Sequence, residues 1–209
     1  MMLSRQSHLD FFASYDSPIV NITADCRCHD FVASAKTQRV PPFAVLLHAL
    51  ATTSMLVEPF RRRLMGGRLT RVEHLNVSYT VIGADNNVNF STFQFHEPFA
   101  QFLACYLADR EEARQATYLR RASMENRDYL FVTCLPWLAF TAIQHPIARF
   151  GDCSIPNIAV GRFKREGEDV SFPIAIQAHH GLVDGLHISE FITTLAGVLN
   201  VAAAEICDA

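Results

Sequence analysis

What this chain lacks narrows its function before any motif is read. Neither charge is in excess: 18 lysines and arginines stand against 21 aspartates and glutamates, a formal net charge of −3 at pH 7. That balance removes the electrostatic case for nucleic acid as the main partner. No apolar run reaches the roughly 20 residues that a membrane helix needs, so no membrane partner is expected. The opening MMLSRQSHLDFF holds neither an apolar signal core nor a small-residue cleavage site. There is no internal repeat, low-complexity tract or linker. A second CxxC-type cysteine pair is also missing. Cys26, Cys28 and His29 crowd together in CRCHD, but a structural zinc site takes four ligands, and no metal is expected. Cys105, Cys134, Cys153 and Cys207 are scattered through a chain too large to need disulfide staples. The expectation is a soluble, cytoplasmic protein with one domain over residues 1–209.

What is present is apolar material. Half of the 209 residues are hydrophobic and 16 are Phe, enough for one good core. Helices are predicted over residues 4–13, over 41–57 behind two prolines, from Pro98 through FAQFLACYLADREEARQ, and from about Ile188 to the end. Strands are predicted at 68–82 and 87–95 around ADNN, and at 129–134. Two more, 157–164 and 170–179, form a hairpin across REGED. The mixture implies an α+β fold, a sheet of mainly antiparallel strands covered by helices.

The segment HHGLVDGLH, residues 179–187, is where chemistry is expected. Val170, Phe172, Ile174, Ile176 and Ala178 share one parity, and continuing it sends His180 to the apolar face and His179 to the other. An imidazole at the end of a core strand is a natural base near neutral pH. Asp184 follows four residues on, and Gly181 and Gly185 permit a tight turn. The plain alternative is a hydrogen-bonded core histidine followed by a helix cap.

Gln177, His179, His180, Asp184, Gly185 and His187 form QxHHxxxDGxH. With them go Arg5, His8 and Leu9 near the start, Phe60, Arg61 and Arg63 as FRxR, and Ser78, Tyr79 and Thr80 as SYT. Thr133, Pro136, Trp137 and Phe140 stand where an SxxPW segment belongs. In order and spacing, through nearly the whole chain, this resembles the chloramphenicol acetyltransferase family. Condensation domains and dihydrolipoyl acyltransferases share related HxxxDG signatures; the former are much longer, and the latter normally carry a lipoyl domain.

The resemblance implies a two-layer α+β sandwich assembled as a homotrimer with active sites between subunits. It implies acetyl transfer from acetyl-CoA to a hydroxyl of chloramphenicol, an antibiotic-inactivating reaction with no metal. His180 takes the family's general-base position, Thr133 that of the oxyanion donor, and Asp184 and Arg5 that of a structural ion pair. Arg162 and Phe163 fall where the family holds the CoA phosphates and adenine, although a surface hairpin carrying GRFKR looks the same. Phe11, Phe12, His145 and Ile147 fall in the acceptor pocket. Arg61, Arg62, Arg63, Arg68 and Arg71 read as a solvated rim or as salt bridges between subunits. Departures concern the acceptor: Ala159 replaces a water-holding threonine, Gln144, His145 and Pro146 replace apolar residues, and Phe11–Phe12 replaces Phe–Tyr. Acylation of another small alcohol or amine, or a non-catalytic trimeric binding protein, are the alternatives.

Overall fold

A computed structural model describes residues 5–121, 127–147 and 154–207. In chain order the elements are α1 (Gln6–Phe12), β1 (Ile19–His29), α2 (Phe31–Thr37), α3 (Pro42–Leu56), β2 (Arg62–Met65), β3 (Arg68–Arg71), β4 (Asn76–Ile82), β5 (Val88–Gln94), α4 (Phe99–Gln115), β6 (Tyr129–Cys134), β7 (Asn157–Val160), β8 (Lys164–Glu166), β9 (Asp169–His179) and α5 (Gly185–Cys207). A 3₁₀ turn over Glu58–Arg61 joins α3 to β2.

The main sheet runs β1-β9-β7-β6-β4-β5, with β8 added beside β9. It is mixed: β6 lies parallel to both β4 and β7, while the other pairings are antiparallel. Alternation along the strands sorts its faces. Tyr79, Val132, Ile158, Ile174, Ile176 and Ala178 join the core beneath the helices. The residues between them, Ser78, Phe131, Thr133, Asn157, Ala175 and Gln177, belong to the opposite face.

The helices follow from their sequences. Pro42 opens α3 after the extended Pro41, where a missing N–H costs nothing. That helix is buried on nearly every side, and the hydroxyls of Thr53 and Ser54 turn back to the carbonyls of Ala49 and Leu50 at 2.7 and 2.8 Å. In α5, Ile188, Phe191, Leu195 and Leu199 make one buried stripe at helical spacing. By length and composition Gly185–Ala204 is apolar enough to span a membrane, although the sequence reading found no such run. Its packing on β1, α2 and α3 accounts for that apolarity as core.

Several expectations are corrected. The strand predicted over 68–82 is two: β3 pairs with β2 in a separate ribbon, and β4 joins the main sheet. The run 157–164 is broken at Gly161, where a Cβ would lie 2.5 Å from Pro173 Cγ and 2.8 Å from the Leu138 carbonyl. β7 and β8 therefore pair with different stretches of β9, and the hairpin is β8–β9 through Gly167 at φ 69°. α5 begins at Gly185, three residues before the predicted Ile188. Arg63 does not belong to a solvated rim. It is fully buried, donating to the carbonyls of Phe60, Arg62, Arg127 and Tyr129 at 2.6–2.8 Å. Burial lowers its pKa to about 10, so it stays charged at neutral pH.

Candidate functional site

The first group of candidate residues forms where β9 turns into α5. Pairing stops at His179, so the alternation expected to carry His180 onto the helix-covered face ends one residue short. His180 lies in the turn, half-buried, its N–H donating to the Pro18 carbonyl at 2.8 Å; His179 is the buried member of the pair. His179 Nδ1 accepts from the Gly181 N–H at 3.1 Å, and burial first, then the neighbouring His180, lowers its pKa. Gly181 is dictated by space: a Cβ there would meet Leu9 Cδ2 at 2.8 Å and the His179 ring at 3.0 Å. Gly185 is not so constrained, a correction to the expectation for this turn, since its Cβ would meet only Ile22 at 3.7 Å.

Arg5, buried at the start of α1, holds this turn from outside. Its Nε donates to the Gly181 carbonyl at 3.1 Å, Nη1 to Asp184 Oδ2 at 2.9 Å and Nη2 to the His180 carbonyl at 3.2 Å. Asp184 Oδ1 accepts from the N–H groups of Leu186 and His187 at 3.1 and 3.4 Å, capping α5. Burial alone would raise the Asp184 carboxyl; the bonds from Arg5 and His187 and the nearby positive charge outweigh it and hold the carboxyl low. Burial, with help from Arg5 and Arg62, also lowers His187.

The His180 ring is fixed twice. Phe12 stacks on it, with centroids 4.3 Å apart and planes at 18°. Nδ1 lies 3.2 Å from the Val183 carbonyl. A carbonyl only accepts, so Nδ1 carries the proton and Nε2 keeps its lone pair. This arrangement can accept a proton from a hydroxyl brought to Nε2. Phe11 packs edge-on against Phe12 but is 58% exposed.

A second group lies on the sheet face away from the helices. Ser78, Thr80, Phe90, Arg121, Phe131, Thr133, His145, Pro146 and Asn157 are among the walls of a cavity of about 490 Å³. The hydroxyl of Thr133 has no hydrogen-bond partner among the described residues. Ala159 lies directly across from Thr133 in the β6–β7 register, so the side chain that departs from the family pattern is its immediate neighbour. His145 is lowered by burial, and its Nε2 is buried without a partner. Cys134, beside Thr133, is a poor nucleophile, since burial pushes its thiol up to about 11. Ile147 is half-buried and is not among these walls.

A third group surrounds a cavity of about 420 Å³ between α2 and the β7–β8 connection, lined by Lys36, Pro136, Arg162, Phe163 and Arg165 among others. Arg165 pairs with Asp30 at 2.6 Å. Phe163 sits edge-on to Phe31 and Phe172, at 5.7 and 5.1 Å, so one side of its ring belongs to the core. Burial on the sheet pushes both Cys26 and Cys28 up to about 12, in positions that alternate with the exposed His29.

The fold thus joins Arg5, Phe12, His180 and Asp184 in one place, Thr133 and His145 in a second, and Arg162 and Phe163 in a third. His180 is not among the walls of the cavity that holds Thr133. Sequence reasoning missed Asn157, Arg121 and Lys36. Asn157 carried a signal, as a polar residue opening an apolar strand; Lys36 and Arg121, which follows Arg120, are cations whose placement depends on distant segments.

Comparison with known proteins bears on the fold and the family. Residues 2–196 match the family described as chloramphenicol acetyltransferase. A chloramphenicol acetyltransferase from Escherichia coli is 26% identical over 91% of this chain and 87% of its own length. One from Clostridium butyricum is 24% identical over 92% and 89%. Among solved structures, a chloramphenicol acetyltransferase superposes with a TM-score of 0.83 at 21% identity, covering 95% of this chain and 96% of its own. The dihydrolipoamide acetyltransferase of Azotobacter vinelandii gives 0.66 at 16% identity, covering 93% and 86%. The fold and its mixed sheet are those of an acyltransferase, and this chain is such an enzyme. It belongs to the chloramphenicol acetyltransferase family.

Proposed function

We propose that the protein transfers the acetyl group of acetyl-CoA to a hydroxyl of chloramphenicol, inactivating the antibiotic. His180 Nε2 takes the hydroxyl proton while the oxygen attacks the thioester carbonyl. The tetrahedral oxyanion accepts a hydrogen bond from Thr133. The carbon–sulfur bond then breaks, the imidazolium returns its proton to the departing thiolate, and the acetyl ester and CoA leave. Proton and electron pair balance without a metal or an acyl-enzyme. The single observation that carries this reading is the 3.2 Å contact of His180 Nδ1 with the Val183 carbonyl, which puts the proton on Nδ1 and leaves the Nε2 lone pair to act as base. The A. vinelandii acetyltransferase supports it: a serine, a histidine and an asparagine have been studied there for the catalytic mechanism, the last two four residues apart like His180 and Asp184.

His180 and Thr133 sit in separate groups within one chain, which supports a site completed by a second copy and hence a homotrimer. Arg162 and Lys36 then offer charge to the CoA phosphates, with the exposed side of Phe163 beside them. Acylation of a different alcohol or amine is the second reading, favoured by Ala159 across from Thr133 and by the unpaired His145 Nε2.

The test is release of CoA thiol from acetyl-CoA, followed with chloramphenicol and with a panel of alcohols and amines. Chloramphenicol-dependent release is expected. Release with other acceptors alone moves the assignment to the second reading, and no release with any acceptor contradicts both. Thr133→Ala is expected to lower kcat by about 10²–10³, the usual scale for an oxyanion donor, and Thr133→Ser to restore most of it.

A further inference from the structure

We infer that Gln177 is a positioning residue for the acceptor cavity, its buried amide fixing the backbone of the segment that carries His145 and Pro146. The inference rests on the acyl-transfer reading above.

Gln177 lies three residues before His180, on the face of β9 turned away from the helices, and is 2% exposed. Its Oε1 accepts from the His145 N–H at 3.1 Å, and its Nε2 donates to the His145 carbonyl at 3.4 Å. A primary amide has an acceptor oxygen and two N–H donors, one of them on the oxygen's side, so the single Gln177 amide satisfies both backbone groups of His145, as a residue of a neighbouring strand would. Asn21 lies directly opposite Gln177 in the β1–β9 register, and its Nδ2 donates to the Ile143 carbonyl at 2.5 Å. Asn157, across from Gln177 on the other side, is a wall of the cavity.

Two adjacent amides therefore hold carbonyls at positions 143 and 145, the two-residue spacing at which an extended chain repeats its direction. His145 and Pro146, just beyond the anchors, line the cavity with Thr133. The bonds that fix His180, to Arg5 and Val183, involve neither amide. Loss of the Gln177 amide is thus a change in how the acceptor is held rather than in the base.

Gln177→Met keeps the side-chain length and removes both bonds; Gln177→Glu keeps an acceptor for the His145 N–H but loses the donor. In the wild type the His145 amide is expected to exchange slowly with deuterium, and in Gln177→Met the peptide spanning 143–147 to exchange faster while the 179–187 turn is unchanged. With acetyl-CoA and chloramphenicol, or whichever acceptor the panel identifies, KM for the acceptor is expected to rise about tenfold in Gln177→Met, the scale of one lost anchor. KM for acetyl-CoA is expected to stay within twofold and Gln177→Glu to lie between. If Gln177→Met folds poorly, Asn21→Ala, made on the exposed edge strand, is expected to show the same split at smaller size. Equal changes in both KM values, or unchanged exchange at 143–147, overturn the inference. A wild type that releases no thiol with any acceptor refutes the underlying function instead, and slow or fast exchange at His145 then decides on the clamp by itself.

Discussion

The guanidinium of Arg5 and the carboxylate of Asp184 meet at 2.9 Å across 179 residues of chain, and between them they close the turn that presents His180. The same guanidinium takes the carbonyls of His180 and Gly181, so one side chain satisfies three acceptors in a turn that lies beyond the last β1–β9 pair. Asp184 in turn caps α5, which links the first helix, the His180 turn and the last helix.

Removing either partner leaves the other partly buried and unpaired. A fully buried pair broken this way costs roughly 3–5 kcal/mol, and the partial exposure of Asp184, 31% at its side chain, reduces that to about 2 kcal/mol. Arg5→Ala and Asp184→Asn are each expected to lower Tm by roughly 4–8 °C. The double variant is expected to lose little more than either single, a non-additivity measurable by urea denaturation. Both singles are expected to lose activity along with stability.

The glycines of the turn are expected to separate sharply. Gly181→Ala forces a Cβ to within 2.8 Å of Leu9 Cδ2 and 3.0 Å of the His179 ring, so it is expected to destabilise the protein and lower kcat together. Gly185 begins α5 with no close neighbour, and Gly185→Ala is expected to be neutral or to add about 0.5–1 kcal/mol through reduced freedom of the unfolded chain. Chemical denaturation of the two variants checks both outcomes.

These contrasts also mark what was legible in the sequence. The prolines before α3, the apolar stripe of α5 and the HHxxxDG turn are local signals, and each appears where the residues place it. β1 is absent from the strands predicted above although Val20, Ile22, Ala24, Cys26 and Cys28 alternate with Asn21, Thr23, Asp25, Arg27 and His29, a pattern blunted by its small and cysteine positions; it pairs along its whole length with β9. Arg63 was read as surface from its charge alone, since nothing nearby in sequence announces carbonyls supplied from Arg127 and Tyr129. The cavity was half legible. Thr133 could be placed on its strand, whereas the anchoring of His145 by Gln177 joins residues 32 positions apart through side chain and backbone.

Stability is expected to fall in two stages on acidification. Burial holds His145, His179 and His187 below the ordinary value of 6.5, so the unfolded chain binds their protons first. Their contribution is complete above about pH 6.5 and is lost as pH falls toward the lower folded values. The Asp184 carboxyl is also held low, so its pairing with Arg5 persists above the ordinary carboxylate range, about 3.9, and is lost as pH falls through its folded value. Urea midpoints measured from pH 8 to pH 3 are expected to decline in both windows. His179→Gln is expected to flatten the upper one; an unchanged upper slope contradicts the assignment.

The most direct measurement is the rate of CoA thiol release by His180→Ala and His179→Ala beside the wild type, with Tm recorded for each. His180 is half-buried, stacked on Phe12 and tied through Nδ1 to Val183, whereas the Nδ1 lone pairs of His179 and His187 are taken by the N–H groups of Gly181 and Asp184. His180→Ala is expected to lower kcat by about 10²–10⁴ with Tm near that of the wild type. His179→Ala is expected to lower Tm first, through the lost bond from Gly181, and to keep substantial turnover at temperatures where it remains folded. Wild-type turnover in His180→Ala, or near-complete loss in a well-folded His179→Ala, contradicts the account.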